Sequence, residues 1–128
     1  NKASLLAPSN DFYAYIRDIL RTKKITQKEL FLRADISDGY GYKLLSGEKR
    51  TRQRDLILRI CYVAEMNLEE TQRALNKYEM AQLYPKNPRD ALLILKFNEQ
   101  NRSIFQLNQA LASNHLEELK VVSNNEDN

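Results

Sequence analysis

Helix-start signals recur along this chain, and apolar residues at helical spacing follow each of them. Three of the signals are predicted capping boxes, in which a Thr, Asn or Ser side chain and a Glu or Gln three residues later bind free backbone N–H groups. They are Thr26 with Glu29, Asn67 with Glu70, and Ser103 with Gln106. Further starts are predicted at Ser9 or Asn10, at Ser37, at Thr51 and at Asn87, where Pro88 takes the first helical position. The sequence therefore predicts about seven helices and no strand.

The apolar residues of these segments are spaced so that one face of each helix can be buried. Hydrophobic residues make up 42% of the 128, which is enough for a packed core, and three Gly and three Pro are too few for a turn-rich all-β fold. We therefore expect an all-α fold. The single cysteine, Cys61, lies in an apolar stretch and is predicted to belong to the core. The sequence predicts no internal disulfide, membrane span or signal peptide, which favours a cytoplasmic location.

Charge is distributed unevenly between the two halves of the chain. Residues 1–60 contain 13 Lys and Arg against 7 Asp and Glu, whereas residues 61–128 contain 7 against 10. A basic first half is compatible with nucleic-acid binding and also with an ordinary solvated surface. Charge alone leaves both interpretations open.

The segment 25–52 carries the motif that points to a function. The first helix of the motif begins with an apolar residue, Thr and Gln, and it continues with Leu and a small residue. A turn then leads to an apolar residue and Ser, a second helix, Gly and basic residues. The residues on this pattern are Ile25, Thr26, Gln27, Leu30, Ala34, Ile36, Ser37, Leu44, Gly47 and Lys49. The pattern resembles the lambda-repressor/Cro-like, or Xre-like, helix-turn-helix family, over residues 12–77 of this sequence. The resemblance implies a lambda-repressor-like helix-turn-helix bundle that binds double-stranded DNA as a transcriptional regulator of bacterial or phage type.

Three residues depart from the family pattern. Phe31 stands where the family usually has Ala, Gly41 where it usually has an apolar side chain, and Asp35 where it usually has the turn Gly. Asp is tolerated in a turn because it adopts left-handed backbone angles more readily than most residues. We expect the other two to compensate each other, with the Phe31 ring filling the space that Gly41 leaves open.

Two groups of candidate DNA-binding residues follow from the resemblance and from helical geometry. The third helix is expected to pack inward through Tyr40, Gly41, Leu44 and Leu45 and to place its opposite face in the major groove. The residues predicted to contact bases from that face are Asp38, Gly39, Tyr42, Lys43 and Ser46. The residues predicted to contact phosphates, at the start of the second helix and after the third, are Gln27, Lys28, Lys49, Arg50, Arg52 and Arg54.

The chain is predicted to consist of a DNA-binding unit, an extension and a tail. Residues 9–77 form the helix-turn-helix unit, residues 78–120 form additional C-terminal helices packed on it, and residues 121–128 form a flexible tail. Because half-site recognition usually comes in pairs, we expect the extension to hold homodimer contacts. The apolar residues expected at that contact are Leu92, Leu93, Phe97, Ile104, Leu107 and Leu111.

Catalytic and metal chemistry is not indicated by the sequence. His115 is the only histidine, and no Gly-rich phosphate loop, paired-cysteine spacing or serine nucleophile elbow occurs. We therefore predict a protein that is not an enzyme and uses no cofactor or metal. The alternative is a protein–protein interaction module on a helix-turn-helix-like scaffold that does not bind DNA. The two glycines and two tyrosines of the predicted third helix keep that alternative open.

Overall fold

The structure is a computed structural model that describes residues 8–120, and it contains seven α-helices in that range. In chain order the helices are α1 (Pro8–Lys23), α2 (Gln27–Ala34), α3 (Asp38–Ser46), α4 (Arg54–Val63), α5 (Leu68–Lys77), α6 (Pro88–Lys96) and α7 (Ile104–Ser113). No strand occurs between residues 8 and 120, so the all-α prediction is confirmed. None of these helices is both long and apolar enough to cross a membrane. The predicted flexible tail, residues 121–128, lies outside the described residues.

Capping side chains stand at most of the predicted helix starts. The side chains that accept a hydrogen bond from the backbone N–H three residues later are those of Thr26, Ser37, Asn67, Asn87 and Ser103. The box at Asn67 is complete, because the Glu70 carboxylate accepts the Asn67 N–H at 2.9 Å. At the start of α2 the Glu29 carboxylate pairs with Arg33 one turn later, so the Thr26 box is half formed.

Two predicted helix starts are wrong. α1 begins at Pro8, so Ser9 and Asn10 lie inside its first turn rather than before it. α4 begins at Arg54, three residues after Thr51. The Thr51 hydroxyl accepts the N–H of Gln53 at 3.0 Å in a local turn, and such a bond competes with capping.

Left-handed residues end both helices of the predicted motif. Asp35 follows α2 with φ 60° and ψ 49°, and its N–H donates to the carbonyl of Leu32 at 3.2 Å. Gly47 follows α3 with φ 85°, and its N–H donates to the carbonyl of Leu44 at 3.3 Å. The turn from Asp35 to Ser37 is therefore short and sets the angle at which α3 leaves α2.

α4 forms the centre of the core and contacts α2, α5 and α7. Every residue from Leu56 to Val63 is buried, including the charged Arg59. Cys61 is fully buried, as predicted, and burial raises the pKa of its thiol to about 12. The thiol therefore stays protonated and acts as a core side chain.

The C-terminal extension shares this core. The ring of Phe97 lies edge-on to that of Tyr62 in α4, with 5.4 Å between centroids. Four residues predicted at the homodimer contact are instead part of the core of the single chain, so the prediction is wrong for them. They are at most 1% exposed: Leu93, Phe97, Leu107 and Leu111. Leu92 and Ile104 are partly buried against the same core.

Candidate nucleic-acid interface

The two faces of α3 are arranged as the sequence predicts. Its inward residues Tyr40, Gly41, Leu44 and Leu45 are buried. Its exposed residues are Asp38, Gly39, Tyr42, Lys43 and Ser46, which are all of the predicted base-contacting residues. Ser37 caps the start of α3 and Gly47 ends it, so the helix is fixed at both ends while one face stays open to solvent.

The Phe31 ring packs against α3 at Gly41. A Cβ atom added to Gly41 would lie 2.5 Å from Cδ1 and Cε1 of Phe31, so the ring occupies the space that a side chain would need. The Phe31 ring therefore fills the space that Gly41 leaves open, as predicted, whereas compensation in stability remains a prediction. The same ring meets Tyr42 edge-on, with 5.0 Å between centroids and an interplanar angle of 87°. Tyr42 is thus held at its base and remains 47% exposed.

Gly39 has a different environment from Gly41. Beyond its chain neighbours and the backbone of its own helix, a Cβ atom at Gly39 would meet no described atom within 4 Å. Glycine in a helix is less favourable than alanine by about 0.5–1 kcal/mol, and nothing in the fold compensates for that penalty here. The missing side chain leaves the backbone of the first turn of α3 accessible.

A shallow depression brings together residues from three helices. It is lined by Arg17 of α1, Gln27 at the start of α2, Tyr42, Lys43 and Ser46 of α3, and Glu48 after it. Arg17 was not predicted from the sequence, because it reaches this place only through the packing of α1 against α3. Its Nη1 lies at the far limit of hydrogen bonding, 3.5 Å from the carbonyl of Leu45.

The basic residues after α3 make different contacts. Lys49 stays beside α3, since its N–H donates to the carbonyl of Lys43 at 3.0 Å. Arg50 lies over the ring of Tyr78 at 4.2 Å from the centroid and donates to the Tyr78 carbonyl at 3.2 Å. Arg52 is exposed. These three residues remain candidates for phosphate contact.

Arg54, which was predicted to contact phosphate, is instead bound within the protein. Its Nη1 and Nη2 donate to the two carboxylate oxygens of Asp90 at 3.1 and 3.0 Å, and further donors reach the carbonyls of Ala81 and Gln82. Burial favours the neutral form of Asp90, but the hydrogen bonds from Arg54 and from the Tyr84 N–H outweigh it and hold the pKa of the carboxyl below its ordinary value. Arg54 therefore ties the extension to α4.

Replacing Arg54 with alanine should reduce the free energy of unfolding by about 1–3 kcal/mol, because the mostly buried Asp90 carboxylate would lose its charged partner. Arg52→Ala is the matched control, since it removes the same charge from an exposed position nearby. It should change stability by no more than about 0.5 kcal/mol. Urea denaturation followed by circular dichroism measures both variants. Equal stabilities for the two would contradict the structural assignment of Arg54.

Several cations without an ion pair lie on α3, beside it or in the segment that follows it, and others lie elsewhere in the described part of the chain. We call the set Arg17, Gln27, Lys28, Asp38, Gly39, Tyr42, Lys43, Ser46, Lys49, Arg50 and Arg52 the α3 surface. Within the described residues, none of its cations forms an ion pair, although Asp38 and Glu48 offset part of the charge. Cations elsewhere in the described part of the chain that form ion pairs include Arg21, Lys23, Arg33, Arg54, Arg73, Arg89 and Lys96. Unpaired cations are available to anionic partners, whereas paired ones are not.

No group of His, Cys, Asp and Glu side chains suited to a metal ion occurs among the described residues. No protein-family model, curated protein or solved structure matches this chain.

Proposed function

We propose that this chain binds double-stranded DNA sequence-specifically and acts as a transcriptional regulator of bacterial or phage type. The observation that carries the proposal is the α3 surface, where the exposed face of α3 with Lys43 adjoins Arg17 of α1 and Gln27 at the start of α2, and a basic segment follows α3 in the chain. An α-helix fits the major groove of B-form DNA, which is about 12 Å wide. A short helix that follows a turn and is fixed at both ends is suited to enter that groove.

Base contacts are assigned to the exposed face of α3. Lys43 can donate to O6 and N7 of guanine, and the Tyr42 hydroxyl can donate to a base edge while its ring packs on a thymine methyl group. Gly39 would allow the helix backbone to approach the DNA closely. Asp38 can accept from N4 of cytosine. Ser46 is less available, because its hydroxyl donates to the Lys43 carbonyl and accepts the Glu48 N–H.

Phosphate contacts are assigned to the residues that surround α3. Gln27 and Lys28 are the first two residues of α2, where unpaired N–H groups and the helix dipole favour an anion. Arg17 adds a cation from α1 on the same side as Gln27 and Lys43. Lys49, Arg50 and Arg52 supply further positive charge beyond the end of α3.

Alanine substitutions in the two groups should have different effects on binding. Tyr42→Ala or Lys43→Ala should weaken binding to the preferred duplex by about 1–3 kcal/mol and binding to random DNA much less, because base contacts are lost. Lys49→Ala or Arg52→Ala should weaken binding to all duplexes about equally and reduce the salt slope by about one unit. Fluorescence anisotropy on specific and random duplexes across a salt series measures both effects.

Lys86→Ala is the control for this series, because Lys86 is an exposed lysine in the loop before α6. It should leave affinity and salt slope unchanged. If Tyr42→Ala and Lys43→Ala keep the full preference for the specific duplex, α3 is not the helix that reads the sequence.

We include a homodimer in the proposal, because half-sites are usually bound in pairs. The large apolar side chains that remain exposed in the extension are Tyr84, Leu95 and Phe105. We assign the contact to Leu95, which is 62% exposed on α6. Sedimentation velocity should show a dimer for the wild-type chain and a monomer for Leu95→Ser. A wild-type chain that stays monomeric in the presence of its duplex would remove the dimer from the proposal.

The alternative function is a protein–protein interaction module that does not bind DNA. One observation favours it: Leu32 on α2 is 81% exposed and lies outside the proposed DNA contacts. Large exposed apolar side chains are common at protein interfaces. A stable complex with a protein at high salt, together with no binding to any duplex at low salt, would support this alternative.

A further inference from the structure

A cleft of about 790 Å³ lies where the end of α2, the start of α7 and residues 118–120 meet. Its charged lining consists of Arg33, Arg59, Arg102 and Lys120 against Asp35 and Glu118. Its apolar wall is formed by Ile104 and Phe105, the first two residues of α7. Arg33 is paired with Glu29 and Glu65, so the remaining charges are Arg59, Arg102 and Lys120 against Asp35 and Glu118, a small positive excess beside an apolar surface.

Arg59 enters the cleft with part of its hydrogen-bonding capacity unused. Its Nε and Nη2 donate to the carbonyl of Ala34 at 3.1 and 2.8 Å, and its Nη1 donates to the carbonyl of Leu119. A guanidinium group has five N–H donors, so two remain without an acceptor among the described residues. The residue is only 7% exposed, and no ion pair between it and a carboxylate occurs among the described residues.

Arg102 has a similar environment on the other side of the cleft. Its donors reach the carbonyls of Glu99, Tyr62, Met66 and Phe97, and one N–H on Nη2 remains. Burial lowers the pKa of both Arg59 and Arg102, because desolvation disfavours the charged form. Neither guanidinium group forms an ion pair within the described residues, so its charge is only partly offset, by Asp35 and Asp55 for Arg59 and by Glu65, Glu70 and the rings of Tyr62 and Phe97 for Arg102.

We propose that this cleft binds a small organic oxyanion, with its carboxylate or phosphate group facing Arg59, Arg102 and Lys120 and its apolar part against Ile104 and Phe105. An oxyanion supplies the acceptors that the remaining guanidinium N–H groups lack, and it neutralises their charge. The N–H groups of Ile104 and Phe105 at the start of α7 have no acceptor within their own helix and add to the attraction, whereas the Gln106 N–H donates to the Ser103 hydroxyl. This site is separate from the α3 surface and does not depend on DNA binding.

Nuclear magnetic resonance of the full chain labelled with ¹⁵N tests the proposal. Phenyl phosphate and benzoate are the probes. Inorganic phosphate has no apolar part and therefore tests the contribution of the apolar wall. Phenol has no anionic group and therefore tests the need for a charge. We expect phenyl phosphate or benzoate to shift the Arg59 Nε–H signal and the Ile104 and Phe105 amide signals in a saturable way. The tighter of the two probes identifies the anionic group. Equal binding of phenol, or no saturable shift with either anionic probe at millimolar concentration, would overturn the proposal.

Charge reversal at the edge of the cleft provides the matched comparison. Lys120 is exposed, so Lys120→Glu should not prevent folding, and it should weaken probe binding about ten-fold. Lys86→Glu makes the same charge change at an exposed loop position that does not line the cleft, and it should leave the affinity unchanged. Equal weakening by both variants would mean that only the overall charge of the protein attracts the probe, which would overturn the site.

Discussion

Phe31→Ala should lower the free energy of unfolding by about 3–5 kcal/mol, because it removes a fully buried aromatic side chain. The loss should be at the upper end of this range, since the neighbouring position is a glycine and no adjacent side chain can fill the cavity. Gly41 contributes no atom beyond its backbone, and the Phe31 ring lies where a Cβ would be. Tyr42 would also lose the ring that holds it at its base, so its order should decrease.

The reverse substitution tests the same contact from the other side. Gly41→Ala should cost about 1–3 kcal/mol, because the new methyl group would overlap a ring that is 0% exposed and has little room to move. The double variant Phe31→Leu with Gly41→Ala restores space for the methyl group. Its stability loss should be smaller than the sum of the losses of Phe31→Leu alone and Gly41→Ala alone by more than about 0.5 kcal/mol. Urea denaturation measures the three free energies, and additive losses would contradict the proposed compensation.

Tyr78→Ala should lower the free energy of unfolding by about 3–5 kcal/mol and loosen the basic segment after α3. The Tyr78 ring packs edge-on against Phe12 with 4.6 Å between centroids, and Arg50 lies over it. Its hydroxyl accepts the N–H of Thr51 at 3.0 Å. One buried side chain at the end of α5 thus connects the core to the segment that carries Lys49, Arg50 and Arg52.

Tyr78→Phe separates the ring from the hydroxyl. It should cost about 1–3 kcal/mol, because the buried Thr51 N–H loses this acceptor while the ring packing stays. Hydrogen exchange of that N–H should become faster in the variant. Tyr84→Phe is the control, since Tyr84 is 57% exposed, and it should have almost no effect on stability. An unchanged Thr51 exchange rate in Tyr78→Phe would contradict the role assigned to the hydroxyl.

The local features of the fold could be predicted because their causes are local. A cap and its partner are three residues apart, so Ser37 and Asn67 are recognisable from the sequence. The buried and exposed faces of α3 follow from helical spacing alone. The compensation between Phe31 and Gly41 could be predicted only because the resemblance supplied the residue types usual at both positions.

Features that depend on distant parts of the chain could not be predicted. Arg54 belongs to a basic cluster by sequence, but its partner Asp90 is 36 residues away. Arg17 lies one helix before the motif and reaches the α3 surface only through packing. Leu93 and Phe97 have the composition of an interface, and the sequence does not indicate that α4 needs them to complete its core. A basic or apolar residue shows its role only when its neighbours in space are known.

Binding of the purified chain to a duplex selected from a random library tests the proposed function most directly. Fluorescence anisotropy should be measured from low to moderate salt on the selected duplex and on a scrambled one. We predict a clear preference for the selected duplex and an affinity that falls steeply with salt, with a slope of about −0.9 for each phosphate contact. No binding to any duplex at low salt would contradict the assignment of the α3 surface to DNA.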